Sequence, residues 1–98
     1  MFGPDEKLPR GDYVVAYRFR FLDPVQGDGV CFVDVAADGA TVSGSRPGAD
    51  KFKPNTWTVI PQFLPNDRER SFHYRFWAHD HPVALDRVYV FMLIRKSI

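Results

Sequence analysis

The stretch from Asp12 to Leu22 constrains this chain more than any other. Tyr13, Val15, Tyr17, Phe19 and Phe21 fall on one side of it, and Val14, Ala16, Arg18, Arg20 and Leu22 on the other. Side chains of a strand alternate between two faces, whereas a helix returns every 3.6 residues. The run therefore predicts a long strand with an aromatic face for a core and a second face carrying two arginines. A sheet with one buried face needs a second layer over it.

The same period recurs downstream. Cys31, Val33 and Val35 share a face, with Val30, Phe32 and Asp34 opposite. Asp38-Gly39 then reads as a hairpin turn, because Asp-Gly tolerates the positive φ that tight hairpins need. Thr41 to Ser45 returns as a short strand at an edge, and Arg46 to Asn55 reads as a polar loop. From Thr56 to Leu64, Trp57, Val59 and Phe63 share one side with Pro61. That row is expected to face the core, with Trp57 as its anchor. Pro61 lacks an N–H and places this strand at an edge or a bulge. In Ser71 to Ala78, Phe72, Tyr74, Phe76 and Ala78 point one way, and His73, Arg75, Trp77 and His79 the other. Val83 to Arg95 closes the chain. Its centre, Val88 to Ile94, is apolar on both faces and is expected to be a central, doubly covered strand.

No segment carries a helical period. Strands spaced by Gly, Pro and Asp turns predict an all-β, antiparallel β-sandwich, jelly-roll-like, with about six to eight strands. Residues 1–11 read as an extended leader and 12–98 as one β-sandwich domain, which suits a chain of 98 residues that can fill one core. Aromatic residues at 15% strengthen the strand reading.

The charge balance, 13 basic against 12 acidic residues, argues against nucleic acid as the main partner. Cys31 is the only cysteine, so no intrachain disulfide forms and the chain is compatible with a reducing cytoplasm. Its setting among apolar neighbours predicts a buried, inert thiol. The N-terminus lacks the layout of a signal peptide, and the longest apolar run is too short to cross a bilayer, so no membrane partner is expected.

Four segments carry a resemblance: Lys7 to Tyr17 as a turn feeding a long strand, Cys31 to Gly39 as its partner and hairpin, Asn55 to Phe63 as a tryptophan strand, and Ala84 to Val90 as a last strand introduced by an aspartate. Together they resemble the galactose-binding-like jelly roll of many carbohydrate-binding modules. The resemblance implies a sandwich architecture and sugar binding. Those modules place a further strand and often a calcium loop ahead of the first segment. Only a short stretch precedes it here, so the resemblance implies no metal.

The expected ligand surface is the stripe Trp77, Arg75, His73 and His79. An outward indole stacks on a pyranose, and flanking Arg and His groups bond its hydroxyls. Arg18 and Arg20 join the stripe if their strand lies beside Ser71–Ala78, and together would hold an anionic group. Truncating Trp77 or Arg75 is expected to weaken binding and leave the fold intact. His79 and His81 could ligate a metal, but no third ligand stands at local spacing, and no cofactor is expected. Asp86 is expected to bond local backbone amides in a turn. Nucleophile-elbow, P-loop and dinucleotide signatures are absent. The leading expectation is a non-catalytic module binding carbohydrate. The alternatives are a structural or assembly protein with a protein partner, forming a homo-oligomer, and a small cupin-like metal-dependent enzyme built on His79 and His81.

Overall fold

The computed structural model describes residues 6–27, 30–78 and 81–94. Seven strands run in chain order: β1 (Glu6–Leu8), β2 (Gly11–Phe21), β3 (Phe32–Ala37), β4 (Ala40–Ser45), β5 (Thr58–Asn66), β6 (Arg70–Trp77) and β7 (Val83–Leu93). They form two antiparallel sheets, ordered β1-β6-β3-β4 and β5-β2-β7. The pair β3·β6 is nested in sequence inside the pair β2·β7, so the chain runs out and back as a long folded hairpin. The expected all-β antiparallel sandwich is what forms.

Between the sheets lies the aromatic row of β2. Tyr13, Val15, Tyr17, Phe19 and Phe21 are all buried, against Val33 and Val35 of β3 and Phe72, Tyr74 and Phe76 of β6. The Phe19 and Phe76 rings meet at 4.7 Å between centroids, close to edge-on, a favoured aromatic geometry. Phe52 closes this end, 4.9 Å from Phe21 and 5.4 Å from Phe19. It comes from the loop the sequence marks as polar, so one residue of that loop serves the core.

The β3–β4 turn has the expected chemistry. Asp38 and Gly39 both take positive φ, 54° and 78°, as a two-residue hairpin requires. The other departures lie at the edges. Glu6–Leu8, expected in a leader, pairs with β6, and Leu8 joins the core. β7 is not central. It borders the three-stranded sheet, paired with β2 alone, and its last residues stand exposed. Its two apolar faces have different tasks, since Val88 and Val90 pack on the core while Phe91 points away from it. Among the described residues no helix is long and apolar enough to cross a membrane.

Candidate functional site

Each sheet presents one face to the core and one outward, and the two outward faces differ in chemistry. On the four-stranded sheet, register places His73 opposite Ala36, Arg75 opposite Asp34 and Trp77 opposite Phe32. The alternation of β6 is as expected, with Phe72, Tyr74 and Phe76 inward and His73, Arg75 and Trp77 outward. These outward groups are engaged with their neighbours. Arg75 Nε donates to Asp34 Oδ1 at 2.6 Å, and its Nη2 donates to Asp34 Oδ2 and, at 3.1 Å, to Thr41 Oγ. Thr41 Oγ donates in turn to Asp34 Oδ2 at 2.6 Å. The Trp77 ring stacks on Phe32 at 5.2 Å, and Arg75 lies 5.1 Å from the indole centroid.

Asp34 is fully buried, and a buried carboxylate is tolerable only when paired and hydrogen-bonded. Arg75 therefore supports the sheet, and its truncation is expected to cost stability as well as any binding. Hydrogen bonds from Arg75 to Asp34 push the guanidinium further above its ordinary range. Gly44 makes the arrangement possible. It faces Asp34 in the next strand, and a Cβ there would lie 3.0 Å from the Asp34 Cβ. Beneath this face the Tyr17 hydroxyl donates to the Asp34 carbonyl, and burial raises that phenol above its ordinary range.

The three-stranded sheet is different. Its outward face is built of cross-strand rows, read from the register: Phe63–Val14–Phe91, then Pro61–Ala16–Tyr89, then Val59–Arg18–Arg87. Trp57 leads into β5 and lies beside the arginines of β2, with Arg18 and Arg20 at 4.2 and 4.9 Å from its ring centroid. Trp57 is 40% exposed, Val59 and Phe63 51% each, and Phe91 54%. The expectation that Trp57, Val59 and Phe63 face the core is thus inverted. The inward residues of β5 are Ile60, Gln62 and Leu64, because they pair with Tyr17, Val15 and Tyr13. Gln62 is buried and satisfied, donating to Ser45 Oγ at 2.7 Å and accepting from Ser43 Oγ at 3.1 Å.

Arg18 and Arg20 do not join the stripe of β6. Their strand belongs to the other sheet, so they point out of the opposite side of the sandwich. Arg18 pairs with Asp86 at 3.0 Å, and Arg20 donates to Asn55 Oδ1 at 2.7 Å, with its Nε buried and without a hydrogen-bond partner among the described residues. Asp86 bonds side chains instead of the expected backbone amides, accepting from Arg18 and from the Tyr89 hydroxyl at 3.0 Å each. The Tyr89 hydroxyl, and after it the Arg18 guanidinium, hold this carboxyl below the usual aspartate range. A β-bulge between Arg18 and Phe19 admits Asp86 to the row.

His79 lies outside the described residues. His81 sits in the turn after β6, its N–H on the Ala78 carbonyl and its ring edge-on to Phe21. Among the described residues no group of three His, Cys, Asp or Glu side chains could hold a metal. Cys31 is buried, and burial pushes its thiol up to about 12. A shallow groove of about 400 Å³, lined by Arg10, Gly11, Asp12, Pro65, Asn66 and Asp67, opens at the end of β2 where that strand begins.

No protein-family model, curated protein or solved structure matches the chain.

Proposed function

We propose that this chain is a non-catalytic interaction module that binds a protein partner through the outward face of β5-β2-β7. The observation that carries the reading is the row Phe63–Val14–Phe91, its two phenylalanines exposed on either side of a half-buried Val14, with the exposed Trp57 and Val59 beside it. Large apolar side chains left together in water mark interaction sites more often than scattered ones do. Tryptophan and arginine, adjacent here, are the residue types most enriched among energetic centres of interfaces. The test is a photoreactive amino acid placed at Phe63, at Phe91 and, on the other face, at His73. Protein adducts from the first two positions and none from the third are expected. Adducts from His73 alone, or from no position, would reject the reading.

Carbohydrate binding is a second reading, and a specific observation favours it at a new residue. The indole of Trp57 lies under the guanidinium groups of Arg18 and Arg20 yet stays 40% exposed, and that uncovered part is the kind of aromatic surface a pyranose stacks on. Trp77, stacked on Phe32, offers less free ring. Glycan-array binding that disappears in Trp57→Ala and survives in Phe91→Ser would favour sugar over protein. An array with no signal would remove it.

A further inference from the structure

The outward face of β5-β2-β7 carries charges in an order that matches its own reverse. Along β2 the outward residues run Asp12, Val14, Ala16, Arg18 and Arg20. An acid stands at one end, apolar side chains fill the middle and two bases stand at the other end. A second copy turned by a two-fold axis that lies in the face, crosses the strands and passes over Ala16 brings unlike ends together. Asp12 of each copy then faces Arg20 of the other. The apolar rows also meet unlike neighbours, with Phe63 over Val59 and Phe91 over Arg87, the last a cation–π contact.

We infer that the partner of this face is a second copy of the chain, packed sheet on sheet about that axis. The inference rests on the interaction reading above and names its partner. Two further observations support it. The residue at the axis is Ala16, buried between Pro61 and Tyr89, so no bulky side chain stands on the axis itself between sheets packed at roughly 10 Å. The exposed side chains come close to the area needed: Trp57, Val59, Phe63, Phe91 and Leu93, with the arginines and Tyr89 around them, offer on the order of 700 Å². A standard interface takes about 800 Å² from each partner. Two-fold pairing is also the commonest way for one surface to satisfy itself.

Charge reversal tests the pairing directly. Sedimentation equilibrium of the full chain should give twice 11.3 kDa at high concentration and dissociate on dilution. Asp12→Arg and Arg20→Asp should each weaken the dimer about tenfold or more, since like charges then meet. The double variant should recover most of that loss. Because either single variant could fail to fold, the chain carrying only Trp77→Phe is also followed by fluorescence, and its remaining Trp57 emission should shift to the red on dilution as the indole returns to water.

A wild type that stays monomeric at every concentration overturns the inference. So does a dimer whose double variant is no better than the singles, or one that survives Phe63→Ser unchanged. Photoadducts from Phe63 to a different protein, with a monomeric wild type, would leave the interaction reading standing and remove only the second copy. Absence of adducts from Phe63 and Phe91 alike removes both.

Discussion

The two outward faces of this sandwich put arginines and tryptophans to opposite uses. On the four-stranded sheet, Arg75 is spent on the buried Asp34 and Trp77 on Phe32, so polar and aromatic groups bind one another and the face is closed. On the three-stranded sheet, Arg18 and Arg20 gather at Trp57 while Val59, Phe63 and Phe91 stand in water. One residue makes the difference. Asp34 lies inside its sheet and draws a cation inward, whereas Asp86 sits at an exposed edge and only trims the charge of Arg18. The same residue types thus stabilise the fold on one side and stand beside exposed apolar side chains on the other.

The sharpest way to break this comparison is to remove one arginine from each face. Arg75→Ala leaves a buried carboxylate without its cation, which should cost about 3–5 kcal/mol in urea or guanidinium melts. Arg18→Ala removes an exposed ion pair and should cost less than about 1 kcal/mol. Equal losses would mean that Asp34 is not the strong point assigned to it.

High pH loads the buried side of the same comparison. The folded chain holds the Cys31 proton up to about 12, while an unfolded thiol loses it near 9. The native state then binds the proton more tightly, so this contribution is complete below pH 9 and falls as pH rises toward 12. Its upper limit is about 4 kcal/mol. Tyr17 and Tyr74, raised chiefly by burial, act in the same direction. Melts at about pH 8 and about pH 11 should show the loss, and Cys31→Ala should reduce it to the part the tyrosines contribute. In native protein at about pH 8 the thiol should resist alkylation until denaturant is added, because a protonated, buried thiol is unreactive. A pH-independent midpoint would contradict the burial of Cys31.

Gly44 sharpens the comparison on a smaller scale. A side chain there meets the Asp34 Cβ at 3.0 Å and the Val33 carbonyl at 3.1 Å. Gly44→Val should cost about 1–3 kcal/mol by overpacking against the ion pair. If the cost arises there, it should shrink when Asp34 and Arg75 have already been replaced. An additive result would place the clash elsewhere.

The sequence disclosed these regions unevenly, and the reason is where polarity falls. β2 is legible because its outward face carries Arg18 and Arg20 while its inward face is aromatic. β6 reads just as well, since His73 and Arg75 mark the wet side. β5 misleads because both of its faces hold large apolar residues. Bulk favours Trp57, Val59 and Phe63 for the core, and the buried Gln62 hides the true inward row until Ser43 and Ser45 are seen to satisfy it. β7 misleads in the same way, since a run apolar on both faces suits an edge strand with an uncovered side as well as a central one. Asp34 alternates with core residues, but its partner lies in another strand, and only register reveals the pair. The outward face of the three-stranded sheet was therefore the least readable part: water-exposed phenylalanines look like core until the strand order is known.

Two adjacent residues of β5 give the smallest expected effect and the plainest check of this inversion. Phe63 points outward and is half exposed, while Leu64 points between the sheets and is fully buried. Leu64→Ala should cost about 2–5 kcal/mol, as lost burial and a cavity combine. Phe63→Ser gives up only contacts with Val14 and its neighbours on an open face, so monomer stability should change by about 0.5 kcal/mol or less. Measured at a concentration low enough to dissociate any dimer, that near-absence of effect separates folding from association. A large loss for Phe63 and a small one for Leu64 would restore the opposite phase for this strand, and the exposed face would cease to exist as a surface for any partner.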